Sequence, residues 1–171
     1  QVWDVTQPPA DQGIERGTYD VAIATNVLHA TRNIREVLRH TKAVLKRNGL
    51  LVLNETTRKS ILATLTFGLV DGWWLYEDEN LRIPGSPLLD ASTWRDVLGE
   101  EGFRHIHRPS ETPEIGQGVV VAASDGVVGQ KATSVPLPPS GQATAAPAAD
   151  ARWPRKPCRL AYIPAGAWTH W

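Results

Sequence analysis

The apolar positions of this chain follow two alternating rhythms over its first three quarters. YDVAIATNV, residues 19–27, is a nearly continuous apolar run, as expected of a strand buried on both faces. Ile34, Val37, Leu38, Thr41, Val44 and Leu45 then recur at helical spacing and predict an amphipathic helix. Asn33 precedes it with Glu36 three residues on, a capping-box-like start, and Gly49 is placed to stop it. LLVLNE, residues 50–55, reads as a second buried strand. Strand, helix and strand with short loops predict a right-handed parallel crossover, the unit of doubly wound α/β folds. VWDV, residues 2–5, reads as a short strand ahead of that unit.

The pattern loosens further along. Residues 58–71 predict a helix, and GWWLYEDENLRIPGSPLL, residues 72–89, a long loop rich in aromatics. A helix from Asp90 or Ser92 follows, with Trp94, Val97 and Leu98 inward and Gly102 closing it. FRHIHR and QGVVVAAS then predict a last pair of strands, consistent with an antiparallel hairpin. Beyond Asp125 the composition changes. VPLPPSGQATAAPAADARWPRKP is rich in Pro, Ala and Ser, has no periodic apolar face, and reads as a linker. CRLAYIPAGAWTHW carries aromatics in no assignable pattern. The division is therefore a domain portion over 1–126 and a Pro/Ala-rich linker with an unassigned tail over 127–171.

Composition narrows the classes. The 171 residues suffice for one domain with a proper core. Lys plus Arg and Asp plus Glu each number 18, and this zero balance argues against a nucleic-acid surface. Cys158 is the single cysteine, which excludes an internal disulfide framework and fits a reducing cytoplasm. The N-terminal residues have neither a basic region nor an apolar core, so no signal peptide is expected. No apolar run approaches the roughly 18 residues of a membrane span. The nearest, SILATLTFGLVDGWWL, is broken by Thr64, Thr66, Gly68, Asp71 and Gly72. Met is absent even at position 1, so the chain reads as a segment of something larger.

Candidate chemistry lies at the strand ends. Open parallel sheets bind ligands outside the C-terminal ends of their strands. The three strands expected here end at Asp4, at Asn26 and His29, and at Asn54 and Glu55. If they are adjacent and parallel, these side chains converge, with His29 beside Glu55. A carboxylate fixes the tautomer of a neighbouring imidazole and stabilises its protonated form, giving a general base for neutral pH. Taken singly, a His after a buried strand is ordinarily structural, and a Glu there ordinarily caps a helix or faces water. Their shared position at adjacent tips is what suggests catalysis. His40 lies on a helix among basic residues, and His105 and His107 alternate on a strand without ligand partners, so no metal site is expected. Trp73 and Trp74 either shape an acyl pocket or belong to the core.

YDVAIATNVLHAT, LKRNGLLVLNET, FGLVDGWWL, SPLL and QGVVVAASDG together resemble, in order and spacing, the C-methyltransferase domains of reducing polyketide synthases. The resemblance covers residues 2 to about 126. It implies a partial class I, Rossmann-like S-adenosylmethionine-dependent methyltransferase fold. It also implies a catalytic dyad of the His in NVLHAT and a Glu at the end of the next strand, here His29 and Glu55, 26 residues apart. The implied substrate is a β-ketoacyl thioester on an acyl carrier protein, within a protein that carries other polyketide synthase domains. Asp4 and Asn26 would then lie by the S-adenosylmethionine, and Trp73 and Trp74 by the acyl channel.

The departure from the family is as informative. Its Gly-rich cofactor turn and acidic ribose ligand have no counterpart, since the early glycines, Gly13 and Gly17, fall in a loop. The fold is thus expected to lack its first two strands and to leave an apolar sheet edge exposed. Two other readings stand beside the enzyme: a non-catalytic methyltransferase remnant or scaffold, and a fragment of an O- or N-methyltransferase. The His–Glu pair favours carbon methylation, because carbon acids need a base more than amines do. With its cofactor wall incomplete, the chain by itself is expected to bind S-adenosylmethionine poorly or not at all. Isothermal titration calorimetry checks this, and micromolar affinity would overturn it.

Overall fold

The structure, a computed structural model, describes residues 3–112, 116–128 and 157–163. Its centre is one five-stranded sheet. The strands are β1 (Tyr19–Thr25), β2 (Leu45–Thr56), β3 (Phe103–Thr112), β4 (Gln117–Ser124) and β5 (Leu160–Ile163). Their order across the sheet is β3-β4-β2-β1-β5. β5, β1 and β2 run parallel, while β4 runs antiparallel to both β2 and β3. The helices are α1 (Ile34–Val44), α2 (Ile61–Phe67) and α3 (Ala91–Glu100).

The β1–α1–β2 crossover forms as its periodicity predicts. Ala22 and Ala24 of β1 and Leu51 and Leu53 of β2 are buried, and α1 contributes Ile34, Val37, Leu38 and Val44 to the same core. The Asn33 side chain accepts from Glu36 N at 3.2 Å, so the predicted cap is real. Gly49, however, does not end α1. The helix stops at Val44 and β2 begins at Leu45. The register then jumps from Tyr19↔Leu45 to Val21↔Leu50, so residues 46–49 bulge. Asn48 takes φ 63°, and a Cβ on Gly49 would meet the carbonyls of Lys46, Tyr19 and Asp20 at 3.0–3.2 Å. Close backbone approach is why glycine stands there.

Three further expectations are corrected. Of VWDV, residues 3–5 are described and form no strand: Trp3 and Val5 are buried, but Asp4 opens a turn. Asp4 Oδ1 accepts from Thr6 N and Oγ1, and the Gln12 side chain meets both Asp4 N and Asp4 O. The backbone groups of Asp4 are thus satisfied by a side chain rather than by a neighbouring strand. The helix expected over 58–71 shortens to α2, capped by Ser60 and ended at Gly68, and the chain re-forms a single 3₁₀ turn at Asp71–Trp74. The edge of β1 is not bare, because β5, drawn from the unassigned tail, pairs along it from Val21↔Leu160 to Ala24↔Ile163. Ala161 and Ile163 face the core while Leu160 and Tyr162 face out. The linker reading over 135–157 lies, apart from residue 157, outside the described residues. No described helix is long and apolar enough to cross a membrane.

α3 and the hairpin match their expectations. Trp94, Val97 and Leu98 are buried, Gly102 follows the helix at φ 83°, and β3 pairs antiparallel with β4. Asp90 caps α3 through Oδ1, which accepts from Thr93 N at 2.8 Å and Ser92 Oγ at 2.6 Å. Those bonds, the Ser92 hydroxyl foremost, hold the Asp90 carboxyl below its ordinary 3.8. A depressed folded-state value means that the contribution is complete above 3.8 and fades as pH falls through the folded value. Asp90→Ala should cost about 1 kcal/mol at pH 7 by urea unfolding. The gap to wild type should narrow in acid, and a gap that stays constant from neutrality to pH 3 would contradict the cap.

Candidate active site

The site begins where β1 stops. Asn26 takes φ 47°, a left-handed conformation that Asn tolerates better than most residues, and this turns the chain out of the strand. Leu28–Ala30 then form one 3₁₀ turn that brings His29 across the tip of β2. Thr25 pairs with Asn54, so Glu55 is the next residue at that tip. Glu55 is 1% exposed and His29 5%. A carboxylate this deep must be fully bonded, or its desolvation costs several kcal/mol. Glu55 Oε1 accepts from Val27 N at 3.2 Å and Leu28 N at 3.0 Å, and Oε2 lies 2.5 Å from His29 Nδ1. An ionised carboxylate only accepts, so Nδ1 carries the ring proton and Nε2 the lone pair.

Nε2 makes no hydrogen bond among the described residues. Among the described residues, the buried side-chain polar atoms without a partner are the indole nitrogens of Trp3, Trp73 and Trp94, so Nε2 retains solvent access. The pair is thus an imidazole with a free nitrogen lone pair, oriented by a buried carboxylate.

The other predicted residues divide. Trp73 is buried and meets His29 edge-on with ring centroids 6.0 Å apart, while its other neighbour, Phe67, stacks on it at 5.7 Å. Trp74 is 47% exposed and bonds the carbonyl of Gly68, so it does not share that contact. Asn26 Oδ1 accepts from Thr56 and Gln117, which ties the tips of β1, β2 and β4. Asp4 lies apart from the dyad, lining a cavity of about 490 Å³ with Val27, Ala30, Thr31, Asn33 and Leu75. The cavity reaches the His29 turn through Val27 and Ala30, which line it from either side of His29 in the chain. His105 and His107 stay on β3, and among the described residues no group of three His, Cys, Asp or Glu could hold a metal.

Two residues escape a reading of motifs. Arg82, its side chain 1% exposed, donates to the carbonyls of His29, Thr31 at 2.9 Å and Pro87 at 2.6 Å, and through Nε to Asp78 Oδ1 at 2.6 Å. Asp78 Oδ2 accepts from Ile34 N, the first residue of α1, at 2.7 Å. Burial pulls the Arg82 guanidinium below its ordinary value, and the Asp78 carboxylate opposes that shift. The only trace in the sequence is charge within an otherwise aromatic and Pro/Gly-rich loop.

A family profile described as a methyltransferase domain matches residues 1–51. Polyketide synthase PksR of Bacillus subtilis (strain 168) is 54% identical over 130 residues, which are 75% of this chain and 5% of the relative. Among solved structures, the DszA carbon methyltransferase is 42% identical with a TM-score of 0.69, over 75% of this chain and 34% of that one. The chain is part of a polyketide-synthase carbon-methyltransferase domain. A trans-methyltransferase, CalH, solved in complex with SAH, is 32% identical with a TM-score of 0.65, over 72% of this chain and 35% of that one. This partial methyltransferase domain thus spans about a third of the solved methyltransferases and a twentieth of the synthase.

The tautomer assignment is open to test. In Glu55→Gln an amide N–H₂ or a neutral carbonyl replaces the oxygen facing Nδ1, and the charge-assisted bond is lost. The variant should lose about 1–3 kcal/mol in chemical denaturation. ¹⁵N NMR should show the His29 ring proton no longer confined to Nδ1. Unchanged stability together with an unchanged tautomer would refute the assignment.

Proposed function

We propose that this domain portion serves α-C-methylation of a β-ketoacyl thioester carried by an acyl carrier protein, using S-adenosylmethionine. The observation that carries the reading is the buried Glu55–His29 pair with an accessible Nε2. A neutral amine attacks a methyl donor through its own lone pair, whereas a carbon acid needs a positioned base. The partner synthase domains are inferred from the multidomain relatives and the cofactor from the SAH-bound neighbour.

The chain offers part of a cofactor wall. The cavity of about 490 Å³ beside Val27 and Thr31 falls within the size of small-molecule sites, and Asp4 and Asn33 place polar groups along it. Asp4 and Asn33 would contact the cofactor from this side, with Asn26 at the strand tips between cofactor and substrate. When bound, S-adenosylmethionine supplies an electrophilic methyl group to a carbon nucleophile.

The residues of the chain do the rest. The α-carbon of a β-ketoacyl thioester is acidified by two flanking carbonyls, and His29 Nε2 takes its proton. The positive charge that appears on the imidazole lies 2.5 Å from the Glu55 carboxylate, which stabilises it without accepting the proton. Burial of Glu55 keeps water from weakening that interaction. Trp73 presents an aromatic wall against His29, and its buried, unpartnered indole N–H is a donor that a substrate carbonyl oxygen would satisfy. Trp74, being exposed, is assigned a more distant contact with the acyl chain or its carrier.

The test uses the full-length protein with a β-ketoacyl thioester and isotopically labelled S-adenosylmethionine. Mass spectrometry should find one methyl on the α-carbon. His29→Ala should lower the rate about 10²–10⁴-fold, the ordinary share of a general base. Methyl transfer to oxygen or nitrogen, or an undiminished rate in His29→Ala, would sink the proposal.

A further inference from the structure

The turn that carries His29 has few means of holding itself. It is a single 3₁₀ turn with no side-chain cap, entered through a left-handed Asn26 and left through an extended Thr31. Between the end of β1 and the start of α1, its outward backbone groups need partners from elsewhere. Three of them find partners in one ion pair. Arg82 donates to the carbonyls of His29 and Thr31, and its neutralising Asp78 accepts from Ile34 N. The same guanidinium reaches Pro87 O, and its plane lies over the Tyr76 ring with 5.5 Å from Cζ to the centroid. The loop over residues 76–87 therefore grips the turn through a fork that only arginine provides, because a lysine ammonium cannot present donors in one rigid plane.

We propose that Arg82 is a positioning residue for the His29 base: with Asp78 it locks the backbone of residues 29–34 so that the imidazole stays aligned with Glu55. The inference rests on the reading of His29 as base, but its geometric half is independent of that reading. Arg82 hydrogen-bonds neither the imidazole nor Glu55; its charge attracts the Glu55 carboxylate, and its hydrogen bond reaches the carbonyl of His29. Glu55 holds one side of the turn, at Val27 N, Leu28 N and Nδ1, and Arg82 holds the other, at the His29 and Thr31 carbonyls. With one grip gone the ring keeps a partner but loses its fixed direction. A misplacement of about 1 Å at a reacting group costs on the order of 100-fold in rate.

Arg82→Lys keeps a cation against Asp78 while removing the fork. In the 171-residue chain, ¹H and ¹⁵N NMR of the ring should show the shared His29 Nδ1 proton broadened or lost in Arg82→Lys. His40, whose Nδ1 meets Val5 O on another element, should be unchanged. In the full-length protein, at a temperature where both proteins remain folded, kcat should fall about 100-fold with KM little altered. Should Arg82→Lys not fold, the neutral pair Asp78→Asn/Arg82→Gln leaves no lone buried charge and is measured the same way. A sharp wild-type Nδ1 signal in the variant overturns the proposal, as does a wild-type kcat with His29→Ala inactive. If His29→Ala is itself active, the base reading falls, and the NMR signal alone decides whether Arg82 positions the ring.

Discussion

The local structure around the site depends on one buried carboxylate. Glu55 is almost wholly out of water at the tip of a central strand, where an ionised group is tolerated only with donors on its oxygens. Val27 N, Leu28 N and His29 Nδ1 are those donors, and all three come from one short segment. The segment can supply them only if the chain bends sharply at Asn26, which is why a left-handed residue directly follows β1. The same bend ends the strand and delivers His29. Fold and site are therefore one constraint: removing the charge of Glu55 would free the turn as much as it would release the imidazole of His29.

The sheet solves a second problem beside it. β1 is apolar on its inward face and needs hydrogen-bonding neighbours on both edges. β2 supplies one and β5 the other, in parallel register from Val21 to Ala24. The entry to β5 is fixed by charge. Arg159 pairs with Glu15 and lies over the Tyr19 ring, while Asp20, bonded to Lys46, also accepts from Arg159 N. The bond from Lys46, joined by that from Arg159 N, holds the Asp20 carboxyl below its ordinary value. β1 is thereby flanked along the length that leads to the His29 turn, and the turn is launched from a strand paired on both sides.

How far the sequence shows this depends on where each signal is written. β1, α1, β2 and α3 announce themselves because their apolar periods repeat over several residues and each has a cap or a Gly stop nearby. β5 does not, since LAYI is four residues long and its partner is more than a hundred residues away in the chain. VWDV has a strand's apolar content, yet Gln12 satisfies the backbone of Asp4 from outside, which no alternation pattern reveals. His29 and Glu55 are legible because strand ends are legible and adjacent parallel strands bring their ends together. Arg82 and Asp78 are not, because what they satisfy are backbone groups of the turn, which carry no side-chain signature at all.

That invisibility has a physical reason. A buried Arg–Asp pair is weak evidence of stabilisation, because the desolvation of both charges offsets much of their attraction, and an apolar pair of equal volume often serves stability as well. Apolar side chains, though, cannot donate to the carbonyls of His29 and Thr31 or accept from Ile34 N, and those groups would be left unpaired. The ion pair earns its place in the loop through direction, not through net energy. The core under it is already ample, with Leu28, Ile34, Leu38, Leu51 and Trp94 fully buried. Stability is thus drawn from the sheet and its helices, and from a second set of buried charges, Lys42, Glu101 and Asp125, whereas Glu55, Asp78 and Arg82 direct their bonds to the short segment that carries His29.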